Sequence, residues 1–271
     1  MTRIHRVVAV AIALISLGSA TSSIPRAEAA TRDPKAPTSA RRLVFAEEFS
    51  TPRTTWATCY PWWPATSTGC TNEGNADERQ WYTPAGVTTS RGVARLTATA
   101  KPTLGTFRGQ PKIYDYTSGM VQSRPRFSFT YGYVEFRMKL APGNGMWDAG
   151  WLLPVDWRHR GEIDVFEHYG QWPNGLALTY HSPLGLRFRK EIKSGLPDLT
   201  AGYHTYGIDW QRHRLTWYLD GQAIYTVNAR TPSEPMYLLA NLAVAGRFIS
   251  LANPAPATST TSIDYIRVWQ R

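Results

Sequence analysis

The chain has 271 residues, with 30 Lys and Arg against 20 Asp and Glu, a formal net charge of +10, 11 Trp and two Cys. That length suits one good-sized core with short flanking segments. The basic residues are scattered and form no Lys/Arg run, which argues against a nucleic-acid partner and leaves solubility or loose adhesion to acidic polymers.

The N-terminus reads as an export signal. MTRIHR is a basic region, Val7–Ala20 is a short apolar run, and Ala27-Glu28-Ala29 offers small residues for cleavage after Ala29. The apolar run is too short to span a bilayer comfortably, so residues 1–29 predict a secreted product with no membrane attachment after cleavage. That segment holds three Arg and one Glu, so the mature chain keeps +8 (10 − 2). Residues 30–41 are polar and proline-bearing and read as a linker. The folded domain is expected over 42–271.

Cys59 and Cys70 bracket the loop CYPWWPATSTGC. In an exported chain they are expected to pair as a local disulfide, since the loop offers too few ligands for a metal. Trp62 and Trp63 inside it are candidates for a cleft wall or for loop packing.

Almost every later segment reads as strand: VARLTATA, FSFTYGYVEFRMKL, GEIDVFEH, LALTYHS, TYGIDWQ, RLTWYLDG, AIYTV, MYLLANLAV and SIDYIRVWQ. Turn signals such as LAPGNG and LDGQ separate them, and no stretch keeps a 3.6-residue apolar period over three turns. The pattern predicts an all-β protein, an antiparallel β-sandwich or jelly roll.

The stretch RGEIDVFEHYG at residues 160–170 has an odd spacing. Glu162 and Asp164 share a strand face, but Glu167 lies five residues from Glu162 and would point to the other side. Acids are depleted from strands, so three of them in one strand call for a reason. A one-residue bulge at Val165-Phe166 returns Glu167 to the face of Glu162 and Asp164. The two glutamates are then about 13 Å apart along the backbone, at two steps of about 6.6 Å. Leaning inward, their carboxyl groups can approach the roughly 5–5.5 Å used by retaining glycosidases. His168, on the opposite face, reads as a packing residue.

The segment Glu162-Ile-Asp164-Val-Phe-Glu167 resembles the ExDxxE signature of glycoside hydrolase family 16, in its bulged, laminarinase-like branch. Tyr116–Pro154, Tyr203–Gly221, NLAVAG, SIDYIRVWQ and LVFAEEF resemble other segments of that family, so the likeness covers essentially residues 42–271. It implies a concanavalin A-like jelly roll with a concave glycan-binding cleft. It implies Glu162 as nucleophile, Glu167 as acid/base and Asp164 as their partner. The expected function is retaining endo-hydrolysis of a β-1,3- or mixed-linked glucan. Alternatives are endo-hydrolysis of a galactan or anionic polysaccharide, transglycosylation, or non-catalytic glycan binding on the same fold.

Trp147, Trp151 and Trp172 flank the acidic strand and are candidates for sugar stacking. His181 and Asn241 are further substrate-binding candidates. Asp148, Gly150, Asp77, Ala245, Arg247 and Phe248 depart from the family pattern. Asp148 and Gly150 are expected to reshape the cleft floor, and Arg247 to favour an anionic glycan. No cofactor is expected for the chemistry. The resemblance also implies a structural Ca²⁺ at Glu48, the Gly92 carbonyl and Asp264. A polysaccharide is the expected partner, and a monomer the expected state.

Overall fold

The computed structural model describes residues 37–51, 56–64, 67–124, 126–156, 158–245 and 255–271. The expected export signal, residues 30–36 of the expected linker, Arg247 and Phe248 lie outside the described residues. The first eight strands are β1 (Arg42–Glu47), β2 (Gln80–Tyr82), β3 (Val87–Ser90), β4 (Val93–Phe107), β5 (Gln110–Ser118), β6 (Met120–Gln122), β7 (Gly132–Lys139) and β8 (Met146–Pro154). They are followed by β9 (Glu162–Tyr169), β10 (Leu176–His181), β11 (Arg187–Ile192), β12 (His204–Gln211), β13 (Arg214–Leu219), β14 (Gln222–Val227), β15 (Met236–Val244) and β16 (Thr258–Gln270). Among the described residues the helical content is one short 3₁₀ turn, Pro84–Gly86, so no helix there is long enough to cross a membrane.

Two sheets form. One runs β14-β13-β12-β7-β16-β4-β5-β2, with β1 added on β16 and β3 on β4; the other runs β11-β10-β9-β8-β15-β6. Pairing is antiparallel except between β2 and β5. The period of two sorts β15 cleanly. Met236, Leu238, Ala240, Leu242 and Val244 enter the main core, while Tyr237 and Leu239 join a smaller cluster on the other face. Trp210 and Trp217 from the larger sheet, and Phe166 from the smaller, are fully buried in that core. Each such side chain contributes roughly 2–3 kcal/mol of burial.

The run FSFTYGYVEFRMKL is not one strand. Tyr131 adopts a left-handed φ of 57° and Gly132 a φ of 147°, so the ladder of β7 starts only at Gly132. A Cβ at Gly132 would sit 2.6 Å from the Trp269 carbonyl oxygen, so the backbone there approaches its neighbour too closely for a side chain.

Candidate active site

The acidic strand β9 lies inside the six-stranded sheet, between β8 and β10. Its register breaks where the spacing predicts. Gly150 of β8 faces Phe166, and the next residue, Trp151, faces Asp164. Val165 is therefore the extra residue of a bulge, and the partner register on β10 shifts at the same place, between Ala177 and Thr179. Ile163, Val165 and Phe166 enter the core, while Glu162, Asp164 and Glu167 line one cavity of about 340 Å³ on the outer face. Trp147, Trp151 and Asn241 line the same cavity.

The carboxyl groups differ in their surroundings. Glu162 is pushed up well above the usual range by burial, then by the charge of Asp164, with His181 opposing. Asp164 is also pushed up, by burial and by the charge of Glu167, against its hydrogen bond with Glu162 and the charges of Arg189 and Arg187. Glu162 and Asp164 are neighbouring like charges with little solvent around them, which disfavours ionising both at once. His181 Nε2 stands 3.6 Å from both Glu162 Oε1 and Asp164 Oδ2. The ligand atoms of these three residues lie within 4.8 Å of one another.

Glu167 is held differently. Its Oε2 accepts from Arg189 Nη1 at 2.9 Å and Thr179 Oγ1 at 3.2 Å, and its Oε1 from the Tyr169 hydroxyl at 3.3 Å. Arg189 also donates to Tyr169 at 2.9 Å, and therefore fixes both the acid and the acid's neighbour. Local pattern gave no sign of Arg189. The signal is the register: Trp151, Asp164, Thr179 and Arg189 form one row across β8, β9, β10 and β11.

The aromatic candidates separate. Trp147 lines the cavity beside Glu167, packs against Tyr169 at 5.9 Å, and has a buried indole N–H with no partner among the described residues. Trp151 donates at 2.7 Å to Asn241 Oδ1, and the Asn241 amide donates at 3.0 Å to the Tyr82 hydroxyl. Asn241 therefore positions Trp151 with most of its polar capacity. Trp172 contacts Tyr169 edge-on at 5.5 Å and lies outside the residues that line the cavity at the acids. Of the loop tryptophans, Trp62 is exposed on the cleft wall and stacks on Tyr60 at 4.6 Å. Trp63 donates to the Thr71 carbonyl and packs on Trp81, so it is loop packing. Cys59 and Cys70 form the disulfide that closes this loop.

Three expectations change. Asp148 and Gly150 do not face the cleft floor. Asp148 is fully buried on the core side, where it meets His168 Nδ1 at 3.0 Å, the Thr261 hydroxyl and the Ala141 amide. Gly150 lies under Phe166, whose ring would be 2.5 Å from an added Cβ. Strand parity explains both, because Trp147 and Trp151 already occupy the outer face. The carboxylates of Glu48 and Asp264 do not fit a bound Ca²⁺ either. Arg267 grips Glu48 at 2.7 and 2.9 Å, and Arg137 holds Asp264 at 2.6 Å, so each charge is already matched. Gly92 does adjoin the Glu48 carbonyl, at 3.7 Å from an added Cβ, which leaves backbone oxygens as the donors there.

Glu78 is a site residue that the motif did not single out. It is buried at the acids' cavity, and burial pushes its carboxyl up to about 7, against hydrogen bonds from Gln80 and Asn75.

Residues 76–267 match the model of Glycosyl hydrolases family 16. The chain is 36% identical over 245 residues to the Endo-1,3-1,4-beta-glycanase EglC of Rhizobium meliloti, covering 83% of this chain and 51% of that protein. It is 29% identical to a Beta-glucanase of Rhodothermus marinus, covering 71% of this chain and 74% of that one. Among solved structures, the laminarinase catalytic domain of Thermotoga maritima superimposes with a TM-score of 0.72 at 25% identity, covering 85% of this chain and 98% of that chain. The chain spans about half the length of the first of these relatives. With a family match over most of its length and the bulged acidic strand in place, this chain belongs to glycosyl hydrolases family 16.

Proposed function

We propose that the chain is a secreted endo-β-glycanase that hydrolyses a β-glucan with retention of configuration. The observation that carries the reading is the bulge at Val165, which lines up Glu162, Asp164 and Glu167 along one cavity with Trp147 and Trp151. The relatives named as β-glycanase, β-glucanase and laminarinase support the substrate class. The export signal at residues 1–29 and the Cys59–Cys70 disulfide support secretion.

The chemistry follows from the surroundings of each acid. With Asp164 protonated, Glu162 is the free carboxylate and attacks the anomeric carbon. Glu167 protonates the leaving oxygen through Oε1, which carries the longer Tyr169 bond at 3.3 Å, since Oε2 carries the Arg189 and Thr179 bonds. A glycosyl ester on Glu162 results. Glu167 then takes a proton from water, and that water displaces Glu162 to give a second inversion and net retention. The orphan indole N–H of Trp147 is placed to donate to a sugar oxygen.

The test is hydrolysis of laminarin and mixed-linkage β-glucan by the mature protein, followed by NMR of the first-formed anomer. Release of β-anomeric product supports the reading. An α-anomer as first product overturns retention, longer oligosaccharides reveal transfer, and binding without cleavage on any glycan leaves a binding protein.

A further inference from the structure

The cleft does not end at the acids. Beyond Glu162 lies a larger cavity of about 830 Å³, which shares Trp62, Leu153 and Glu162 with the catalytic one. Its walls carry the rings of Trp62 and Tyr237 and the cationic side chains of Arg124 and Arg160, with His159 and His181 beside them. Glu162 is the one acid among the residues that line it.

Neither arginine of this arm is in an ion pair among the described residues. Arg124 donates through Nε and Nη2 to the Val155 carbonyl, at 3.3 and 3.1 Å, which is a neutral partner. Arg160 makes no ion pair among the described residues and is exposed. Of the acids behind the wall, Asp156 is paired with Arg158 at 2.6 Å, and Glu234 lies 3.2 Å from the His159 imidazole. Two guanidinium groups with no ion-pair partner among the described residues therefore line a cavity that shares residues with the cleft, against the single acid Glu162. A guanidinium fork recognises a carboxylate in the plane of its N–H groups, and the aromatic rings nearby would bear the sugar ring that carries it.

Resting on the glycanase reading above, we infer that this arm is a subsite for a β-glycan residue bearing a carboxyl group, held by Arg124 and Arg160. The catalytic cavity would cut the backbone, and the arm would select chains whose neighbouring residue is acidic. A neutral glucan would fill the arm without engaging either guanidinium.

The test compares laminarin with the same polymer after carboxymethylation, in wild type, Arg124→Gln and Arg160→Gln, each variant checked for an unchanged melting temperature. The readout is the ratio of kcat/KM on the carboxylated polymer to that on the parent. The expected wild-type ratio is well above one. It should fall about tenfold in either variant, the scale of one charge-assisted hydrogen bond, and fall again at high salt. A wild-type ratio at or below one, or a ratio unchanged in both variants, overturns the subsite. Calorimetric binding of carboxymethylated laminari-oligosaccharides to Glu162→Gln separates the two readings. Binding that depends on Arg124 and Arg160, in a protein that cleaves neither polymer, upholds the subsite and sinks the hydrolase. Cleavage of both polymers without charge preference does the reverse.

Discussion

The indole N–H of Trp217, on the larger sheet, donates at 2.8 Å to the backbone carbonyl of Asp164, at the bulge of the smaller sheet. A bulge disrupts the ladder locally and leaves backbone groups to find other partners. Here the partner comes from across the core, so the bulge of the acidic strand is clamped to the opposite sheet. Replacing Trp217 by Phe keeps most of the ring and removes that donor from the buried carbonyl. The expected cost is about 1–3 kcal/mol of stability. Activity should fall roughly 10–100-fold, because a shift of the acids by a fraction of an ångström is enough. Trp210→Phe is the control. Its indole bonds Thr231 at 3.2 Å, away from the acids, so it should lose stability and keep kcat.

The two glutamates should fail differently. On a polymeric glucan, Glu167→Gln is expected to lose about 10²–10⁴ in kcat, the range of a positioned proton donor. On an aryl β-glycoside, whose leaving group needs no proton, the first step of Glu167→Gln should recover and Glu162→Gln should stay inactive. Burst kinetics with the aryl substrate read this directly, and equal recovery of both variants would reject the assignment of roles.

Glu78 should make stability depend on pH. Its carboxyl sits at about 7 in the fold against 4.5 for the ordinary group. Between those values the native state binds the extra proton, so unfolding free energy falls as pH rises. The loss is complete above about 7, and reaches at most about 3 kcal/mol for such a shift. Urea denaturation at pH 5 and pH 8 should show wild type losing stability over that interval, with Glu78→Gln losing less. Parallel losses in both proteins would exclude Glu78 as the group responsible.

The disulfide should matter more for binding than for chemistry. Cys59 and Cys70 are 11 residues apart and close the loop that carries Tyr60 and Trp62, and Tyr60 also meets Trp151 edge-on at 6.3 Å. Closing a loop of that size stabilises by roughly 3 kcal/mol in the chain-entropy model. Cys59→Ser with Cys70→Ser should lower the melting temperature and raise KM for glucan several-fold, while kcat stays within about twofold, since the acids stand on the sheet. A fall in kcat with KM unchanged would contradict this.

The sequence alone determined the all-β class and the need for a bulge, which follow from local spacing, and the pairing of Cys59 with Cys70, the two cysteines of the chain. Five residues from Glu162 to Glu167 can share a face only if one residue is extra, and Val165 is that residue. Parity alone also placed Asp148 and Gly150 opposite Trp147 and Trp151, although likeness to a cleft segment pointed them the other way. Only the tertiary structure decided what touches the acids. Arg189 on β11 reaches Glu167 on β9 across the intervening β10, and Trp217 reaches Asp164 from another sheet. A period of two says which face a side chain takes and nothing of which strand lies beside it. The engagement of Glu48 and Asp264 by arginines was equally hidden, since Arg267 meets Glu48 from 219 residues away in the chain. Contacts of that range are set when the sheets close, by the register and stacking of strands that local propensity leaves open.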